Sequence, residues 1–162
     1  MTKQIIRTFT GNQIAVIVRS RDIISNLNVK YLGIKNAAKL YKLLEKCTDL
    51  YNGMVKQIGD TIYTQNERLI NDNPQYTDLL KMFATIRHDI TACNKFIAEH
   101  QELEFLVSVM EDNNKALLEL QNKFADSIHE VSYMIENDKL EKALESKELT
   151  VQQISELAFL FE

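Results

Sequence analysis

The sequence predicts a mainly α protein. Long amphipathic helices form an antiparallel helical bundle or coiled coil, and a small N-terminal β-hairpin precedes them. Three observations carry this expectation. The chain of 162 residues holds four Gly and one Pro, too few for a turn-rich β fold. Gln75 to Asn137 contains neither, and its apolar residues recur at helical spacing: Leu79, Phe83, Ile86, Ile90, Cys93, Ile97, then Leu103, Leu106, Met110, Leu117, Leu120, Phe124, Val131. A stripe of this kind must be buried against a partner. Strand-like alternation is found only in the first twenty residues.

Taken in order, Gln4 to Val18 reads as the hairpin. Ile6, Thr8 and Thr10 alternate with Ile5, Arg7 and Phe9. Gly11-Asn12 supplies turn chemistry, and Ile14, Val16 and Val18 alternate again. A lone hairpin is marginal in water, so it must lie on the helices or pair with another chain. Ser20 is placed to cap a short helix from Arg21 to Leu27, which Asn28 ends. The first long helix starts near Asn36. Its stripe is Leu40, Leu44, Cys47, Tyr51, Met54, Ile58, Ile62 and Leu69. Gly53 and Gly59 lie within it, each costing about 1 kcal/mol relative to Ala. Asn71-Asp72-Asn73-Pro74 breaks the helix.

A second helix follows from Gln75. Its seam slips by one position between Ile97 and Leu103, where a continuous helix with a local change of winding is expected. The turn is placed at Glu111-Asp112-Asn113-Asn114. The alternative is one helix over 76–137, with Asn113 as a buried polar residue that fixes register. The third helix runs from Lys115 to Asn137, and the charged stretch 138–147 reads as frayed or loosely helical. Thr150 and Gln153 fit a capping box that opens a final helix. Val151, Ile154, Leu157 and Phe161 form its expected face. The run Leu157 to Phe161 is apolar all round, so it should dock on the bundle or on a second chain. By domain, 1–34 reads as a basic hairpin-and-helix module, and 35–162 as the bundle with its docking helix.

Composition sets the class. Apolar content of 45% and charged content of 26% are ordinary for a soluble globular protein. No apolar run approaches the length that spans a bilayer, and no apolar leader opens the chain. A cytoplasmic protein without membrane contact is expected. The preference for Lys, Ile and Asn suggests an AT-rich bacterial or viral genome. Net charge is −4, unevenly spread. Residues 1–46 hold nine basic side chains against two acidic ones, a balance of +7 that leaves −11 for the remainder. Such asymmetry marks either a partner-binding segment or one that lies on the acidic helices of its own chain.

Catalytic and metal chemistry find little support. His100-x-x-x-Glu104 and Asp126-x-x-His129 have spacings that helix-borne metal sites use. A di-metal bundle needs several such pairs converging on a core, and His129 is expected to face solvent. Cys47 and Cys93 fall on apolar stripes and read as core packing. There is no Gly-rich phosphate loop, nucleophile elbow or Cys-x-x-Cys pair. No catalytic residue, cofactor, metal or disulfide is expected, and the chain is read as non-enzymatic.

Two functions remain. In the first, the protein is a self-associating helical adaptor, a homodimer that also binds another protein. Its interface residues are Leu103, Leu106, Met110, Leu117, Leu120, Phe124, Leu157 and Phe161. In the second it is a small nucleic-acid-binding regulator of phage or viral origin. Its basic module (1–46) contacts phosphates through Arg7, Arg19, Arg21, Lys30, Lys35, Lys39 and Lys42, and its helices dimerise. One further feature supports the second reading. The run Phe9-x-Gly11-Asn12-x-Ile14-x-Val16, followed by Ser20-Arg21-Asp22-Ile23, resembles the opening of viral Bro-N and phage antirepressor domains. That resemblance implies a DNA-binding hairpin followed by a helix. It is confined to this segment, and the aromatic stretch usual between hairpin and helix is missing.

Overall fold

The computed structural model describes residues 6–161. Helix makes up 79% of it, against about a third in an average globular protein, so the mainly α class with long helices holds. The elements run β1 (Ile6–Thr10), α1 (Gly11–Arg19), α2 (Arg21–Ser25), α3 (Val29–Leu32), α4 (Ile34–Asp72), α5 (Thr77–Ile86), α6 (Ile90–Glu99), α7 (Leu106–Asp126), β2 (Ile128–Ser132), α8 (Asn137–Glu145) and α9 (Val151–Leu157). Short 3-10 turns occupy Pro74–Tyr76, Gln101–Leu103 and Ala158–Phe161. The chain divides into two compact units. One joins Met1–Met54 to Asn122–Glu162, and the other is Val55–Gln121.

In the first unit the N-terminal strand has an antiparallel partner, but the partner is β2 and not residues 14–18. Ile6 pairs with Ser132 and Thr10 with Ile128. The expected turn at Gly11-Asn12 is the first turn of α1; the expected strand start at Gln4 and Ile5 lies outside the described residues. A capping box explains the switch. Thr10 Oγ1 accepts from the Gln13 N–H at 3.2 Å, and the Gln13 side chain accepts from the Thr10 N–H at 2.9 Å. Ile14 and Ile17, three apart, then fall on one helical face and are fully buried. The hairpin-then-helix order implied by the antirepressor resemblance is therefore absent from Phe9 to Ile23.

Strand is also not confined to the first twenty residues. The expected third helix stops at Asp126. Beyond it Val131, Tyr133 and Ile135 are buried at a spacing of two, with exposed Ser132 and half-buried Met134 between them. Val131 belongs to the expected helical stripe, but its β-branched and aromatic neighbours favour the extended form.

The core of this unit gathers Phe9 and Val131 from the sheet and Ile14 and Ile17 from α1. Leu40, Leu44 and Cys47 join from α4, Leu140 and Ala143 from α8, and Leu157 and Leu160 from the C-terminal segment. The stretch expected to be loosely helical is thus a formed helix with a buried face. Ser20 makes no side-chain cap on α2, which ends at Ser25; Asn28 caps α3, accepting from the Lys30 N–H at 2.9 Å. Asn36 is not a cap either. It lies inside α4, buried, where its amide donates to Leu32 O at 3.0 Å and accepts from the Glu136 N–H at 3.3 Å.

Helix α4 runs unbroken past both glycines and ends at Asp72, before Pro74, as the sequence predicts. A Cβ at Gly53 or Gly59 would meet nothing within 4 Å. Ala at either position is therefore expected to stabilise the protein by roughly 0.5–1 kcal/mol through helix propensity. An unchanged or lowered denaturation midpoint would contradict this.

The second unit departs furthest from expectation. Gln75 to Met110 is not one helix. It breaks after Ile86, where Asp89 caps α6 by accepting from the Ala92 N–H at 3.0 Å. A further break falls at His100–Phe105, on the register slip. Ile90, assigned to the seam, is exposed. Conversely, Glu111–Asn114 lies inside α7 and is not a turn. The folded-back helices bury Leu69, Leu80, Phe83, Cys93, Phe96, Leu103 and Leu106 in a core of their own. Gln65 ties this unit together. It accepts from Arg87, which also donates to Asn66 Oδ1 at 2.9 Å, and it donates to Asn113 O at 3.4 Å.

Candidate functional site

The residues assigned to an interface separate into two groups. Leu103 and Leu106 are fully buried in the core of Val55–Gln121, and Leu157 in that of the other unit. These contacts are made within the chain. Met110, Leu117, Leu120, Phe124 and Phe161 are half-buried. Phe124 packs edge-on against Tyr51, with ring centroids 6.3 Å apart. Phe161 lies against the first unit's core.

Within Val55–Gln121, one stretch carries an apolar seam with no complete cover. Leu69 shares a core with Leu106, and Gln65 reaches Asn113, so α4 and α7 run antiparallel there. Farther along, Ile58 and Ile62 on α4 and Leu117 and Leu120 on α7 continue the heptad spacing. None is buried. No residue from Val55 to Arg68 is buried, nor any from Val107 to Gln121. Val55, Tyr63 and Leu118 are exposed on the same stretch. Here the two helices leave the seam half-covered.

The basic residues are also divided. Arg7 is structural: its guanidinium donates to Leu160 O at 2.9 Å and Phe159 O at 2.8 Å, and its charge lies 4.7 Å from the centre of the Tyr133 ring. The Tyr133 hydroxyl donates to Leu160 O at 2.9 Å. Burial pushes that phenol up to about 12, with Arg7 opposing the rise. Arg19, Arg21 and Lys30 are exposed on α1, α2 and α3. Lys35, Lys39 and Lys42 form an exposed stripe on α4, and Lys46, outside the expected contact set, extends it. Spacings of four, three and four place them on one helical face. Among ion pairs of the described residues, none involves a basic side chain from 7–46.

Beside this stripe lies a groove of about 500 Å³, lined by Lys39, Lys42, Leu43, Lys46, Glu130, Val131, Ser132 and Met134. Lys39 Nζ crosses to Met134 O at 3.1 Å and fixes one end.

His100, His129 and both cysteines serve packing, and His88 is exposed. Contrary to expectation, His129 does not face solvent. It is half-buried against the Phe124 ring, and its Nε2 lies 2.7 Å from Ser127 Oγ. His100 lies against the Phe96 ring, tilted by 46°, and approaches Glu102, not Glu104. No group of three potential metal ligands occurs among the described residues. Cys47 and Cys93 are free thiols, each buried in the core of its own unit. Desolvation pushes the Cys47 thiol up to about 11, despite Lys46 nearby, so it stays protonated at neutral pH. No described helix is long and apolar enough to cross a membrane.

No protein-family model, curated protein or solved structure matches the chain.

Proposed function

We propose that the protein is a non-enzymatic, self-associating helical interaction module. In this reading two copies pair through the seam that α4 and α7 leave half-covered within Val55–Gln121. The supporting observation is that Ile58, Ile62, Leu117 and Leu120 keep heptad spacing on antiparallel helices, yet none reaches a buried state. A second helix pair laid across them completes a four-helix layer, and a two-fold dimer is the commonest way to supply it. The same dimer is the platform for a further protein partner.

Light scattering should return twice the 18.8 kDa chain mass. The double change Ile62→Glu with Leu120→Glu should return the single mass and keep the helical circular dichroism, because neither residue belongs to a buried core. A wild-type mass of one chain at micromolar concentration would reject self-association. A dimer indifferent to the double change would reject this seam.

A further inference from the structure

We propose that the groove between α4 and β2 binds an acidic, extended segment of a partner protein. The proposal is independent of self-association, because every residue it uses lies in the Met1–Met54 and Asn122–Glu162 unit.

The walls differ in chemistry. On the α4 side stand Lys39, Lys42 and Lys46, with Lys35 continuing the stripe. Leu43, Val131 and Met134 supply apolar lining. Glu130, Val131 and Ser132 are successive strand residues whose side chains alternate between faces. All three line the groove, so it follows the strand's edge and not one face. Among the described residues β2 pairs with β1 alone, which leaves the groove along the edge turned away from β1.

This geometry favours a polypeptide over a nucleic acid. An extended chain repeats its side chains every two residues, about 6.7 Å. Lys42 and Lys46 are four residues apart on the helix, about 6 Å. Alternate carboxylates can therefore meet successive ammonium groups while the apolar residues between them turn toward the groove lining. Single-stranded nucleic acid binds chiefly by stacking bases on aromatic rings and by Arg contacts, and the groove lining contains neither. Glu130 repels any ligand that carries charge on both sides, as a phosphate backbone does. It repels less strongly a strand whose acids all face α4.

The test is fluorescence anisotropy on the full chain, using a fluorescein-labelled peptide of alternating Glu and Val and an oligothymidylate of equal charge. The peptide should bind with an affinity that falls as salt rises. Lys42→Gln with Lys46→Gln should weaken it about tenfold. Lys56→Gln with Lys81→Gln, an equal loss of exposed charge elsewhere, should leave it unchanged. Glu130→Gln should tighten it, a gain that misfolding cannot produce. Undetectable peptide binding would overturn the proposal. Equal effects of the two lysine pairs would do so as well, as would tighter binding of oligothymidylate than of peptide.

Discussion

Replacing Leu157 and Leu160 together with Asp is expected to unfold the unit formed by Met1–Met54 and Asn122–Glu162. Both side chains are 1% exposed and share a core with Phe9, Ile14 and Ile17. Burial of a Leu is worth about 1.5–3 kcal/mol, so the pair accounts for about 3–6 kcal/mol. Two carboxylates forced into that core add a desolvation penalty. Whole-domain margins are typically about 5–15 kcal/mol, and the combined loss reaches that range. The damage extends to polar contacts, because Arg7 and Tyr133 both depend on the carbonyls of this segment. Ending the chain after Leu149 should act in the same way. Hydrogen exchange would reveal lost protection around Ile14 and Cys47, with protection kept around Phe96, which belongs to the other core. An unaltered melting curve would refute the account.

Gly11→Ala should cost about 3 kcal/mol, the upper end for overpacking a close contact. The residue is needed for space and not for a left-handed backbone, since Gly33 alone among the described residues has positive φ. A methyl group at Gly11 would lie 1.7 Å from Phe124 O and 2.5 Å from its carbonyl carbon. Backbone cannot swing aside as a side chain can, so α1 must withdraw from the end of α7. That withdrawal lengthens the Gly11 N–H to Ser127 O bond, 2.8 Å in the intact protein, which continues the β1–β2 ladder. The melting temperature should fall by roughly 6–12 °C. Asn12→Ala, at an exposed neighbour, is the control. Equal shifts for the two variants would show that the crowding at Gly11 is relieved at little cost.

Local chemistry was legible in the sequence, and pairing over distance was not. The Thr150–Gln153 capping box forms as read, with the Gln153 N–H 3.2 Å from Thr150 Oγ1. The same box at Thr10–Gln13 was equally visible, but strand-like alternation through Ile14, Val16 and Val18 obscured it. The apolar run of the C-terminal segment predicts its docking, yet the face turned inward differs from the expected one. Val151 and Ile154 are exposed, while Leu160 is buried because the helix gives way to a 3-10 turn at Ala158. Asp89 was a cap hidden in a seam whose spacing stayed helical across the break. The partner of β1 lies more than a hundred residues away, and no local pattern says that β2 is that partner. Of the basic set, charge alone could not separate Arg7, bound to main-chain carbonyls, from the α4 lysines beside the groove.

The pairing of β1 with β2 also constrains the order in which the molecule can form. Synthesis delivers β1 more than a hundred residues before β2, which is complete only when residue 132 has left the ribosome. Phe9, Ile14 and Ile17 therefore wait without Val131, Leu157 and Leu160, which complete their core. Val55–Gln121 is contiguous and can close its own core in the meantime. Its closure replaces a long flexible connection with a folded insert, and the entropy of joining two ends rises with the length of flexible chain between them. An insert that folds first lowers the entropy cost of joining the two segments that flank it in sequence. The nascent chain passes through a stage in which β1 and α1, made before the insert, find their place after it.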